Sequence, residues 1–198
     1  MFNNTCKLLL FLFVTDFILN AVILQKKYAR KEPKTMKEHV SFKEIDSIAM
    51  SNYILKHYGP MSHLKLQKLL FYCDAYHLAY FDKQLISDKF EAWVHGPVSR
   101  KVYRSLSDKS ILYADLSFSP IEGINEDECF NELASIQQEF ISSVLEDLHT
   151  WTGLQLEIAT HREEPWIAAR KGYGEADKCC VEIDKEITRI YYKKDICA

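Results

Sequence analysis

Two histidines, His95 and His161, are the residues best suited to chemistry, because each lies close to a tryptophan and a glutamate in the sequence. An imidazole beside a carboxylate can serve as a general base, a general acid or a metal ligand. If the two histidines met in space, they would suit a small metal-dependent or histidine-dependent hydrolase. That enzyme is the alternative hypothesis for this chain.

A structural role explains the same two histidines without a catalytic set. His95 would fix a turn from strand to helix and His161 would end a helix, each with a hydrogen bond to a backbone or carboxylate group. The sequence has no His-Glu-x-x-His motif, no glycine-rich phosphate loop and no Gly-x-Ser-x-Gly elbow. We therefore favour the structural role, and we expect no catalytic residue, no bound metal and no cofactor.

The cysteines do not suggest chemistry either. Cys73, Asp74 and His77 lie close together, but helical spacing turns Cys73 and His77 toward an apolar face, where a catalytic triad would be buried. The six cysteines form no Cys-x-x-Cys pair and no regular disulfide framework. We expect reduced thiols, with Cys73 packed in the core.

Composition and charge favour an ordinary globular protein that does not bind nucleic acid. The 198 residues are 47% hydrophobic and 27% charged, which suits one domain with a sizeable core. The first 35 residues hold six basic and two acidic side chains (+4), and the remainder holds 19 basic and 26 acidic ones (−7). An acidic domain argues against a DNA-binding helix-turn-helix, which would need to neutralise phosphates.

The N-terminal 35 residues form an apolar and basic extension ahead of a domain at 36–198. Residues 8–24 are strongly apolar, and basic residues follow between Lys26 and Lys37. Asp16, near the middle of this short segment, would make a membrane anchor marginal. We favour a translation start at Met36, or even Met50, over Met1. The domain is then cytoplasmic, and it faces the cytoplasm from the inner membrane only if residues 8–24 are translated and inserted.

Hydrophobic spacing predicts a mainly helical domain with a small β hairpin or short strands, an α+β fold in one compact unit. A first helix runs through Ile45 and Leu55 and stops before Gly59-Pro60, and Ser62 caps a second helix with one apolar face from Leu66 to Tyr80. Alternation from Phe90 to His95 predicts a strand or hairpin. Pro97 would then lie near the first turn of a helix that carries Val98, Val102 and Leu106.

The second half of the sequence is predicted to form a series of helices. The acidic residues from 122 to 128 are expected in a solvated loop, followed by one long helix with Leu133, Ile136, Phe140, Val144 and Leu148 inward. Thr152 would cap a helix that ends at His161, and Pro165 would open another turn. An extended piece at 181–183 precedes a last helix capped by Asp184.

Three stretches, taken together, resemble the Panacea domain, also described as the SocA-like or phage-associated family. They are Lys65 to Tyr72 (KLQKLLFY), Phe90 to Val98 (FEAWVHGPV), and Thr160 to Trp166 (THREEPW). The resemblance covers about residues 42–195. It implies an antitoxin of a type II-like toxin–antitoxin system that neutralises a toxin, encoded by an adjacent gene, by direct protein binding. In one branch it also implies a proteolytic adaptor that delivers the toxin to an AAA+ protease.

The same stretches supply the candidate partner-binding or signature residues. They are Trp93, His95, Gly96, Pro97, Val98, His161, Glu163, Pro165 and Trp166. An exposed aromatic side chain on a rigid turn is a typical interface anchor. Trp93 could equally belong to the core, and the sequence leaves both readings open.

Overall fold

The computed structural model describes residues 40–106 and 113–197 of the chain, with side chains up to Lys194. The expected extension, residues 1–35, lies outside these residues. Eight helices and two small antiparallel sheets make up the described part, which confirms the mainly helical fold. In chain order they are α1 Ser47–Tyr58, β1 Met61–Ser62, α2 His63–Phe81, β2 Phe90–Trp93, β3 Gly96–Ser99, α3 Arg100–Leu106, β4 Asp115–Leu116, α4 Glu126–Asn131, α5 Ser135–Leu148, α6 Gly153–Thr160, α7 Glu164–Ala169 and α8 Lys185–Cys197. None of the described helices combines the length and apolar character that crossing a membrane requires.

Helix α2 is the centre of the fold. Ser62 caps it by accepting a hydrogen bond from the Lys65 amide, as the sequence predicts. The sequence predicted one apolar face from Leu66 to Tyr80, but α2 is buried on all sides, since 17 of its 19 residues are buried. Helices α1, α5, α6 and α8 and strand β3 pack around it and cover its other faces. Even the polar side chains of Lys68 and Asp74 are therefore inside the protein.

His77 shows how this helix satisfies a buried polar group. Its Nδ1 lies 2.6 Å from the Lys83 carbonyl oxygen, and its Nε2 lies 2.9 Å from the amide nitrogen of Gln137. The Gln137 oxygen accepts from the backbone amides of Lys43 and Ala134, so its nitrogen must be the donor to His77. His77 is therefore the neutral tautomer with its proton on Nδ1, and burial lowers its pKa to about 4.

Strands β2 and β3 form the predicted hairpin, with Phe90 opposite Ser99 and Trp93 opposite Gly96. The alternation is confirmed, since Phe90 and Ala92 are buried. The extended piece at 181–183 runs along β2 as well, through hydrogen bonds from the Ala92 amide to the Val181 carbonyl and from the Ile183 amide to the Phe90 carbonyl.

The expected helix start at Pro97 is wrong, because Pro97 lies in strand β3 and α3 begins three residues later. Helix α2 holds this stretch extended. The Lys68 amine donates to the Pro97 carbonyl oxygen, and the Gln67 side chain bonds both the amide and the carbonyl of Ser99. The Ser99 hydroxyl then accepts from the Val102 amide and caps α3.

The acidic stretch is also different from the expected solvated loop. Asn125 caps α4, and Glu126, Asp127 and Glu128 form its first turn. Acidic side chains are favourable at a helix N-terminus, and the Lys56 amine lies 2.6 Å from both Glu126 and Asp127. The expected long helix is α5, which begins at Ser135 and not before Leu133, and Leu133 lies buried between α4 and α5. Phe140, Val144 and Leu148 do face the core, as predicted, and Ile136 packs partly buried against it.

The last helices follow the sequence prediction. Thr152 caps α6 by accepting from the Gln155 amide, and Pro165 lies in the first turn of α7. Asp184 accepts from the Ile187 amide at the start of α8. Strand β4 pairs with β1, which joins the middle of the chain to the start of α2.

Candidate partner-binding site

Four side chains bond the backbone of the hairpin β2–β3 and fix it to the helices, and Gln67, with its two bonds to Ser99, is the first of them. The Trp166 indole donates to the Trp93 carbonyl at 3.0 Å. Arg170 donates to the Ala92 carbonyl, and Lys68 donates to the Pro97 carbonyl, both at 3.1 Å. The three stretches that carry the family resemblance therefore meet in the structure. Lys68 comes from the first stretch, the hairpin from the second and Trp166 from the third.

Gly96 occupies a position where no side chain fits. Its φ is +94°, a conformation that L-residues rarely adopt. A Cβ atom there would lie 2.5 Å from Cε of Lys68 and 2.8 Å from Oγ1 of Thr160. Glycine at this position lets the turn of the hairpin approach helices α2 and α6 closely.

His95 lies in the two-residue turn between the strands, where it pairs with Glu157 of α6. The distance from Nδ1 to Oε1 is 2.8 Å, and the His95 side chain is 44% exposed while that of Glu157 is 11% exposed. The expected strand-to-helix turn is therefore a strand-to-strand turn, with the expected carboxylate partner. The imidazole is therefore partly exposed to solvent.

His161 ends helix α6, as expected, and serves as its C-cap residue. Its ring stacks on Trp166 at 4.1 Å between centroids. Its Nε2 atom is buried and has no hydrogen-bond partner among the described residues, and burial lowers the pKa of the imidazole. A buried Nε2 cannot contact a substrate in this conformation, so His95 and His161 do not form two accessible catalytic groups.

Glu163 and Pro165 are buried and hold the fold together. The Glu163 carboxylate accepts from the hydroxyl of Tyr72 at 3.0 Å and from that of Tyr192 at 2.6 Å. Burial, together with the negative charge of Glu163, raises the pKa of both tyrosines well above its ordinary value. These contacts join α2, α7 and α8 in the core and give the buried Glu163 a structural role.

Trp93 is half-buried at the edge of a pocket. It is therefore neither fully in the core nor fully exposed, the two possibilities that the sequence left open. Its indole donates to Glu91 at 2.8 Å, and the Arg100 guanidinium lies 5.6 Å from its ring. Tyr103 contacts it edge to face at 4.8 Å. The ring is thus oriented by three neighbours while one part of it stays exposed.

The pocket beside Trp93 has a volume of about 510 Å³ and lies between α2, the hairpin, α3 and the segment 178–180. Its lining residues are His63, Leu64, Gln67, Lys68, Trp93, Val94, His95, Val98, Tyr103, Lys178, Cys179 and Cys180. Arg170 positions one wall, because its guanidinium also bonds the carbonyls of Gly174, Glu175 and Asp177.

The sequence did not indicate four of the site residues, which are Lys68, Gln67, Glu157 and Arg170. The first two stand in the signature stretch KLQKLLFY, but a one-faced helix places them toward solvent. Only a helix that is buried on all sides brings them to the hairpin. Polar residues in the middle of a strongly apolar helix were the available signal.

Within the described ranges, no three His, Cys, Asp or Glu side chains are grouped so that they could hold a metal ion. The hairpin with its pocket is the candidate site.

Comparisons with known proteins give one match. The family model for the SocA-like antitoxin Panacea domain matches residues 66–167. This range includes most of α2, the whole hairpin, Glu157, His161 and the start of α7 with Trp166. No curated protein and no solved structure matches the chain. Because the family model covers more than half of the sequence, the chain belongs to the SocA-like Panacea domain family of antitoxins.

Proposed function

We propose that this domain is the antitoxin of a type II-like toxin–antitoxin pair and neutralises its toxin by direct binding. Family membership carries the proposal, and the site agrees with it. A clamped hairpin presents the partly exposed Trp93 and His95 beside an open pocket. Such a rigid aromatic edge next to a concave surface is typical of an interface hot spot.

In this proposal the partner is the product of an adjacent gene, and the complex forms in the cytoplasm without nucleic acid. Neutralisation then needs only that the domain covers the toxin's active surface. Delivery of the bound toxin to an AAA+ protease is a second step of the same proposal. It predicts that the toxin's half-life falls when the antitoxin is co-expressed, and that deleting the protease restores it.

A growth-rescue experiment tests the binding proposal. The adjacent gene is expressed alone, with the full chain, and with residues 36–198. We expect growth arrest in the first case, and rescue with co-purification of a stable complex in the others. Neutralisation by binding would be contradicted if the adjacent gene does not arrest growth. It would also be contradicted if this chain restores growth but no complex co-purifies. Rescue by residues 36–198 alone would also support the proposed domain boundary.

A variant in the hairpin links the function to the site. We expect Trp93→Ala to remain folded, because its ring is only half-buried, and to lose rescue and co-purification. Ile190→Ala, which changes a 44% exposed residue on α8, is the matched control and should rescue normally. Unfolding of Trp93→Ala, measured by circular dichroism, would instead assign Trp93 to the core.

A further inference from the structure

We infer that the open edge of the hairpin sheet, at residues 181–183, binds an extended and basic segment of the toxin by β-strand addition. The toxin segment continues the sheet as a further strand and pairs with the backbone of Glu182. This inference rests on the proposed function for the identity of the partner, and the edge itself supplies the chemistry of recognition.

The backbone of Glu182 has a free donor and a free acceptor at this edge. The segment 181–183 pairs with β2 through the Val181 carbonyl and the Ile183 amide. Glu182 lies between these two bonds, opposite Glu91. In such an antiparallel pair, the residue between the bonds directs its own N–H and C=O away from the neighbouring strand. Neither group forms a hydrogen bond within the described ranges, so both match the backbone of another extended chain.

The edge is accessible without any movement of the core. Val181 is 40% exposed, and the side chain of Glu182 is 54% exposed. A partner strand that approaches from solvent therefore reaches the outward N–H and C=O directly.

The edge is also held in its extended conformation before a partner binds. Cys179 and Ile183, at its two ends, are buried. Arg170 fixes the preceding loop, because its guanidinium donates to three carbonyl groups between residues 174 and 177. The edge therefore loses little conformational entropy when a strand is added to it.

The charge at the edge favours a basic partner. Residues 175–186 hold five acidic and two basic side chains. Glu182, Asp184 and Glu186 are all exposed. Lys89 pairs with Glu182, but both side chains are largely exposed, so a Lys or Arg of the partner can replace it at little cost. A toxin segment with Lys or Arg residues thus complements the edge.

A second copy of this chain suits the edge less well than the toxin does. Symmetric antiparallel pairing around Glu182 would bring the acidic residues of both copies together. Like charges opposite one another destabilise such a pair.

Two variants at position 182 test the backbone donor. Glu182→Pro removes the N–H, and the pairing with β2 remains because that N–H does not bond β2. Glu182→Ala removes the same carboxylate and keeps the N–H, so it is the matched control. In calorimetric titrations of the full chain with the adjacent gene product, Glu182→Pro should bind at least about tenfold more weakly than Glu182→Ala. Equal affinities of the two variants would overturn the inference.

The control variant also measures the contribution of charge. Glu182→Ala should bind several-fold more weakly than the native chain at low salt, and this difference should shrink at high salt. Stronger binding by Glu182→Ala would contradict a basic partner segment.

Hydrogen exchange gives a readout that does not depend on a variant. The Glu182 amide has no partner among the described residues, so it should exchange at least about tenfold more slowly in the complex than in the free chain. The exchange is followed in ¹H–¹⁵N NMR spectra, and the amide of the exposed Gly123, before α4, is the reference. Unchanged exchange at Glu182 in a stable complex would refute strand addition even if Glu182→Pro does not fold.

The outcomes separate this inference from the proposed function. If the toxin binds the full chain and the Glu182 amide stays unprotected, strand addition fails and direct neutralisation stands. If the adjacent gene product does not bind, both fail. If the chain alone forms dimers that Glu182→Pro dissociates in sedimentation experiments, the edge belongs to a second copy and the inference fails as well.

Discussion

Replacing Gly96 by alanine should destabilise the domain strongly, because two separate effects act at this position. An L-residue at φ +94° costs about 1–2 kcal/mol relative to glycine. The added Cβ would also lie 2.5 Å from the buried Cε of Lys68 and 2.8 Å from Thr160. Overpacking of this kind in a core typically costs about 1–3 kcal/mol more. We therefore expect a loss of about 3 kcal/mol, which lowers Tm by about 6–12 °C for a chain of this size.

Gly172 provides the matched control, since it has a φ of +90° and nothing within 4 Å of the position of a Cβ. Gly172→Ala therefore contains the backbone cost alone, about 1–2 kcal/mol. Urea denaturation of both variants and of the native chain gives the difference, which isolates the contact with Lys68 and Thr160. If Gly96→Ala is as stable as Gly172→Ala, the added methyl group meets no close neighbour. The hairpin would then not lie as close to α2 and α6 as the structure shows.

Three further predictions concern the groups around the site. Glu163→Gln removes the charged acceptor of two buried tyrosine hydroxyls and should cost about 2–3 kcal/mol in urea denaturation; a loss within the error of the measurement would contradict that role. His77 has a pKa of about 4 in the folded protein and about 6.5 in the unfolded chain, so the unfolded state takes up a proton first as the pH falls. Stability should therefore fall by up to about 3 kcal/mol between pH 6.5 and 4, and His77→Gln should flatten that part of the profile. Trp166→Phe retains the stack on His161 but loses the indole hydrogen bond to the hairpin, so the free energy of unfolding should fall by about 1 kcal/mol and Tm should fall with it. An unchanged Tm would show that this bond does not hold the hairpin.

Local signals predicted most of the secondary structure correctly. The caps at Ser62, Thr152 and Asp184 are confirmed, and so is the alternation that starts at Phe90. Each of these depends on residues within three or four positions of one another, and such contacts form in the same way in any fold. For this reason a single sequence was sufficient for them.

The errors come from contacts between distant parts of the chain. Strand β3 continues through Pro97 because Gln67 and Lys68, about 30 residues earlier, bond its backbone. Helix α4 begins in the acidic stretch, where Asn125 caps it and the distant Lys56 compensates its charge. No local pattern contains these partners. The same limit applies to the site, since the role of Glu163 depends on the hydroxyls of Tyr72 and Tyr192, which lie 91 and 29 residues away in the sequence.

The buried amine of Lys68 shows that the hairpin is held in place at a cost. Burying an amine with one hydrogen bond is unfavourable, and methionine would fill similar space without that cost. Methionine would, however, leave the Pro97 carbonyl oxygen without the donor that holds strand β3 against α2.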